Sequence, residues 1–440
     1  MRRLSLVAGI AALGLALAGC GGDDSDNSAG DTGGNSGSGT EASGDVEVFT
    51  WWTEGGEKAG LDGLVKVFGE KYPNLKFVNG AVAGGAGSNA KAVLASRLQT
   101  QDPPDTFQGH AGGELSDYIK AGQLEDLSDL YQSEGWSDVF PKTLIDAITY
   151  EGKIYSVPSN VHRANVVWAN PSVLEKAGID PAAEPPASIA DWITQLDKVK
   201  ASGVETPLSI ATDWTQVQLL ETVLISDLKA DAYKGLWTGD TKWDSAEVTT
   251  ALNDYAKLMS YTNSNRSSLD WPDAANMVRD GKAAYNVMGD WVAANWQGEK
   301  LEEGTDYIYF PVPGSQGTFD FLSDSFTLPV GAKNPEGAKD WLRVVGSAEG
   351  QKAFNTVKGS IPARTDASAA DYPTYQQSAI KDFSTDTIVP SLAHGAAASI
   401  SWLNDITSAV GKFGTSKFDS GAVSELQSGL TQAASNNLQS

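Results

Sequence analysis

The chain has 440 residues, enough to bury a sizeable core, and its 56 acidic against 32 basic residues leave a formal net charge of −24. Such a surface repels nucleic acid and anionic lipid headgroups, which excludes nucleic acid as an expected partner. With a single cysteine no intramolecular disulfide forms, so stability must come from packing.

Met1-Arg2-Arg3 followed by the apolar run from Leu4 to Leu17 has the layout of an export signal, too short for a lasting transmembrane helix. The run closes on Leu17-Ala18-Gly19-Cys20, which is similar to the bacterial lipobox. Residues 1–19 are then expected to be a lipoprotein signal peptide. Acylated Cys20 becomes the mature N-terminus, holding the exported chain on the outer face of the cytoplasmic membrane. Residues 20–44 are nearly all Gly, Ser, Asp, Asn and Thr, a composition that buries nothing and reads as a flexible linker.

From Asp45 the pattern changes. Val46, Val48 and Thr50 alternate as in a strand, and Trp51-Trp52-Thr53-Glu54-Gly55-Gly56 breaks the alternation. Leu61, Leu64, Val65, Phe68 and Tyr72 recur at helical spacing up to Pro73, and Leu75 to Val78 reads as a second strand. A helix over about 89–98 leads through Pro103-Pro104 into a strand at 106–110. This alternation predicts an α/β fold with a parallel sheet. Helical patterns dominate later, at 189–199, 248–259 and 338–345.

Motifs of the common enzyme classes are missing: no paired histidines on a helix, no Gly-Lys-Ser/Thr phosphate loop, no Gly-x-Ser-x-Gly elbow. The glycine-rich turn 83–89 is read as a flexible or ligand-edge turn in preference to a phosphate cradle. His110, His162 and His394 each sit in a polar, loop-like stretch, able to make one hydrogen bond. Asp290 beside Trp291, Asp324 after Leu322-Ser323 and Glu54 after Trp51-Trp52 are candidate members of a sugar-cleaving carboxylate pair, which is one alternative. Thirteen tryptophans suit packing against sugar C–H faces, although core packing is their commoner role.

Several phrases occur in the order found in extracellular solute-binding proteins of ATP-driven carbohydrate importers, which the chain resembles from Val46 onward. They include Pro103-Pro104-Asp105-Thr106, Ala121-Gly122-Gln123-Leu124, Gly152-Lys153-Ile154-Tyr155, Met288-Gly289-Asp290-Trp291 and Asn334-Pro335-Glu336-Gly337. Trp51-Trp52, Gln108-Gly109-His110, Ser323-Asp324-Ser325-Phe326, Lys358-Gly359-Ser360 and Leu392-Ala393-His394 are similar to glucose-type monosaccharide binders.

The resemblance implies an α/β, two-lobed fold of the periplasmic-binding-protein kind, with an interlobe ligand cleft and three hinge crossings. Its lobes would be 46–160 with 325–376 (N-terminal) and 161–324 with 377–440 (C-terminal). It implies a receptor that captures a monosaccharide, glucose or else galactose or mannose, and passes it as a monomer to an ABC permease. No catalysis, metal or cofactor is implied. The implied ligand contacts are Trp51, Trp52, Gln108, His110 and Lys358 on one lobe. Trp271, Asp290, Trp291 and His394 face them, and Asp324 sits near a crossing. The alternatives are a secreted glycoside hydrolase and an oligosaccharide receptor, the latter with Trp214, Trp237 and Trp243 as a groove.

Overall fold

The computed structural model describes residues 42–438. The expected signal peptide, lipidated Cys20 and most of the linker lie outside the described residues.

Strands in chain order are β1 (Gly44–Phe49), β2 (Leu75–Asn79), β3 (Thr106–His110), β4 (Thr149–Tyr150), β5 (Lys153–Ile154), β6 (Ser156–Pro158) and β7 (His162–Arg163). They continue as β8 (Val166–Ala169), β9 (Thr206–Ser209), β10 (Ala283–Val287), β11 (Ile308–Pro311), β12 (Thr318–Leu322), β13 (Asp324–Thr327) and β14 (Thr387–Pro390). One sheet has the order β2-β1-β3-β13-β6 and another β11-β8-β10-β9. In the first, β1 runs parallel to β2 and β3, as helical crossovers require, while β13 returns antiparallel to β3.

The periodicities explain what each element buries. Val46 and Val48 alternate inward along β1, and the helix Gly55–Lys71 buries Leu61, Leu64, Val67 and Phe68 on one face. The helix Pro335–Gly346 starts where Asn334 caps it, the side chain accepting from Gly337 N, with proline at the first turn. Two separate cores result. One gathers Val46, Leu64, Phe107, Trp341 and Phe354 around the first sheet. The other gathers Trp192, Leu220, Tyr255, Tyr285 and Phe413 around the second.

A third sheet, β14-β12-β7, lies between the other two in the chain's path. The chain leaves the first sheet at β6, passes through β7 and enters the second at β8; it returns from β11 through β12 to β13. After helices that pack on Gly55–Lys71, it passes once more, through β14, to helices Ile400–Gly414 and Ser420–Asn437 on the second core. Each strand of this small sheet is therefore one crossing between two lobes. Arg163 ties the crossings together, donating to Asn165 Oδ1 at 3.0 Å, Asp382 Oδ2 at 2.7 Å and Thr318 O at 3.2 Å.

Candidate functional site

Asp324 opens β13 at the edge of the crossings, and the antiparallel register sets it opposite His110 at the end of β3. Its two carboxylate oxygens accept from Gln108 Nε2 at 2.8 Å and Asn160 Nδ2 at 2.7 Å. Asn160 answers through its own oxygen, which accepts from Asp324 N at 2.8 Å. Gln108 is fixed from behind by the Thr50 hydroxyl, which donates to its Oε1. Burial alone would raise the Asp324 carboxyl, yet Lys358, His162 and His110 outweigh it and hold it below the usual range. The carboxylate is thus ionised, and two of its lone-pair positions are already engaged.

Around it lies a narrow cavity of about 30 Å³, room for about one water molecule with the lobes as they stand. Aromatic rings form much of the wall. Trp51 follows β1, and Gly87 packs so closely on its ring that a Cβ would come within 2.6 Å of it. Gly87 also has φ of +73°, so both space and backbone call for glycine there. Across the cavity Trp291 begins a helix and meets His394 at 5.1 Å, His162 at 5.2 Å, Trp271 at 6.3 Å and Trp214 at 6.4 Å between ring centroids. Trp271 is held by a capping box, in which Asp270 and Asp273 satisfy each other's backbone N–H groups at a helix start.

Lys358 ends the helix Ala348–Lys358 with its amine almost wholly buried, 3.4 Å from Glu57 Oε1 and 5.7 Å over the Trp291 ring. Burial pushes the Glu57 carboxyl up and Lys358 pulls against it. His394 sits in the turn after β14, where its Nδ1 meets Ser391 Oγ at 3.0 Å. Burial first, then His110 and Lys91, hold His394 well below its ordinary value, so its ring is a neutral imidazole.

Of the residues expected from the sequence, Trp51, His110, Trp271, Trp291, Asp324, Lys358 and His394 share the cavity wall. Three expected contacts lie behind it. Trp52 packs between Phe326 and Phe354 at centroid distances of 5.6 and 4.7 Å, inside the first core. Gln108 supports Asp324. Asp290 is fully buried, with one carboxylate oxygen on His162 Nδ1 and the other accepting from Arg163 N at 3.0 Å.

The histidines are not in polar loops: all three are buried, two of them in strands. Trp214 reaches the cavity, whereas Trp237 meets Trp243 and Trp402 edge-on at the second core, so the three form no groove. Glu57, Lys91, Glu114 and Asn160 were not found from sequence, since no local pattern separates them from surface or capping residues. Glu57, three residues after Glu54 in the first turn of its helix, carried the nearest thing to a signal.

The pattern of the family described as Bacterial extracellular solute-binding protein matches residues 51–352. An uncharacterised ABC transporter extracellular-binding protein of Pyrococcus horikoshii is 36% identical over 87% of this chain and 86% of its own length. A probable sugar-binding periplasmic protein of Rhizobium meliloti is 34% identical over 80% of this chain and 85% of its own. Among solved structures, the bacterial solute receptor AcbH, with an exclusive preference for β-D-galactopyranose, is 19% identical. It superposes with a TM-score of 0.78, covering 89% of this chain and 98% of its own. A chitin oligosaccharide binding protein gives a TM-score of 0.76 at 18% identity, over 89% and 99% of the two chains. At such identities these two likenesses speak for the fold alone.

Proposed function

Because this chain belongs to the bacterial extracellular solute-binding protein family, we propose that it captures one neutral monosaccharide, glucose or a close hexose, and delivers it to the permease of an ABC transporter. It is a binding protein, not an enzyme. The observation that carries the sugar reading is one small cavity combining opposed tryptophans, an ionised carboxylate, a buried amine and three imidazoles. A hexose has C–H faces for the rings and a rim of hydroxyls for the polar groups. The relatives named for sugars support the same ligand class.

Family membership disfavours the hydrolase alternative, and two of the three carboxylates it would draw on are unsuited to the acid role. Asp290 is sealed behind His162, and Asp324 is held ionised, so neither is the proton-bearing acid that glycoside cleavage needs. A dissociation constant near 1 μM corresponds to roughly −8 kcal/mol. That is about −0.7 kcal/mol for each of about twelve heavy atoms, inside the small-ligand ceiling.

A second, larger cavity of about 380 Å³ shares Trp51, Glu57 and Trp271 with the first. It keeps an oligosaccharide reading alive, with one ring inside and the rest outside. In the monosaccharide reading the lobes, 46–160 with 325–376 and 161–324 with 377–440, close on the ligand, and the permease reads the closed form. The membrane anchor is acylated Cys20. Calorimetric titration with glucose, galactose, mannose, xylose, maltose and a chitin trisaccharide, followed by analysis of the injected sugars, tests all of this. One-to-one binding of an intact monosaccharide is the expected result. Binding of longer sugars alone would favour the outer cavity, and cleaved product would refute the binding role.

A further inference from the structure

The chain has three histidines, and the fold brings all three to one cavity. Each is anchored at the same ring atom. His110 Nδ1 lies 2.8 Å from Glu114 Oε2. His162 Nδ1 is bound to Asp290 Oδ1. His394 Nδ1 lies 3.0 Å from Ser391 Oγ, whose hydroxyl donates to Glu221 Oε1 at 3.0 Å. The three carboxylates come from unrelated places: one turn beyond β3, the start of the Trp291 helix, and the middle of the long helix Asp213–Thr238.

Each carboxylate is itself held as an acceptor. Glu114 takes Lys91 Nζ at 2.8 Å and His110 N at 3.3 Å; Lys91 also stands 3.5 Å from His110 Nδ1, a longer approach than that of the carboxylate. Asp290 takes Arg163 N, and Glu221 takes Ala393 N at 2.8 Å. An acceptor on each side leaves Nδ1 to supply the proton. For His394 the logic passes through Ser391: its hydroxyl hydrogen is committed to Glu221, so its oxygen accepts from the ring. With the hydrogen on Nδ1, the neutral ring of His394 keeps a lone pair on Nε2, while His110 and His162 turn Nε2 toward Asp324.

The Nε2 atoms are the ones left for a ligand. Those of His110 and His162 stand 3.7 and 3.6 Å from the two oxygens of Asp324, too far for hydrogen bonds. Among the described residues, the buried Nε2 of His162 has no hydrogen-bond partner at all. We propose that Glu114, Asp290 and Glu221 are positioning residues that lock the three cavity histidines in the Nδ1–H form. The cavity then presents three Nε2 atoms beside the Asp324 carboxylate, that of His394 as an acceptor. Such a set selects a ligand rich in hydroxyl donors, and it rejects the same ring with those hydroxyls removed or methylated.

This specificity role rests on the sugar-binding reading, whereas the ring tautomers can be observed without any ligand. Long-range ¹H–¹⁵N correlation of the full chain, labelled with ¹⁵N-histidine, gives three spin systems and reads each tautomer directly. In the unliganded protein every ring is expected to carry its Nδ1 proton; a ring protonated on Nε2 alone overturns the proposal. Asp290→Asn offers His162 an amide donor, so its ring is expected to turn to Nε2–H with at least a tenfold loss of hexose affinity. Glu221→Gln, acting through Ser391, repeats the test on His394 if the first variant does not fold. A changed tautomer with unchanged affinity and unchanged discrimination between hexose and deoxyhexose would overturn the specificity role. Three Nδ1–H rings in a chain that binds none of the sugars would support the positioning and sink the ligand.

Discussion

Asp324→Ala is expected to cost more sugar affinity than any uncharged substitution in the cavity. Gln108 and Asn160 occupy one lone-pair position on each oxygen of Asp324, which leaves one on each for a ligand hydroxyl. Hydrogen bonds to a charged group contribute about 1.5–3 kcal/mol each, so losing two weakens binding by about a hundredfold to ten-thousandfold. The substitution also strands two buried amide donors, at about 1–3 kcal/mol each, so the apo protein melts at a lower temperature as well. Asp324→Asn keeps the shape and removes the charge, and because its NH2 faces the amide donor of Gln108 or Asn160 it strands one donor where Asp324→Ala strands two. Calorimetric titration of both variants, with thermal unfolding followed by circular dichroism, gives affinity and stability independently. A folded Asp324→Ala protein that binds hexose within a factor of three of the parent would refute the assignment of Asp324.

The two adjacent tryptophans should respond differently. Trp51→Ala lowers affinity about tenfold or more, since it removes a stacking face. Trp52→Ala instead empties part of the first core and lowers unfolding free energy by about 3–5 kcal/mol, readable by urea denaturation. Glu114, held at about 2 against an ordinary 4.5 because Lys91 and His110 outweigh burial, stabilises the fold fully above pH 4.5. Its contribution is lost as the pH falls toward 2, and Glu114→Gln should flatten the stability–pH curve there. The opposite sign applies to the buried Glu221 and Asp320 pair. Burial pushes Glu221 up to about 7 and, with the charge of Glu221, pushes Asp320 well above its usual range. The folded pair then keeps a proton, held on Asp320 and donated to Glu221, that the unfolded chain has released, so stability falls as the pH rises from 4.5 through 7. Asp320→Asn should remove much of that fall in melting scans between pH 5 and 8; an unchanged slope would show that the pair does not share a proton.

Local pattern reached a long way into this protein. Alternation marked β1, helical spacing marked the helix that packs over it, and proline and glycine marked where elements end. The ordered phrases include Trp51, His110, Asp324, Lys358 and His394, each at the end of a strand or helix around the first sheet or in the turn after a crossing, and all five line the cavity. What the pattern could not convey is which way a side chain faces once the lobes meet. Trp51 and Trp52 are neighbours leaving an extended strand, and successive side chains there point to opposite sides, so only one of them reaches the cavity. Asp290 and Trp291 are adjacent too, yet the first turns back to His162 while the second lines the wall. Glu114 and Glu221 show no local mark of their role, because their partners come from elsewhere in the fold: Lys91 on another helix, and Ser391 170 residues along the chain. Residue type and spacing are written in the chain, but the direction of a side chain and the charge it is allowed to keep depend on what the tertiary fold buries beside it.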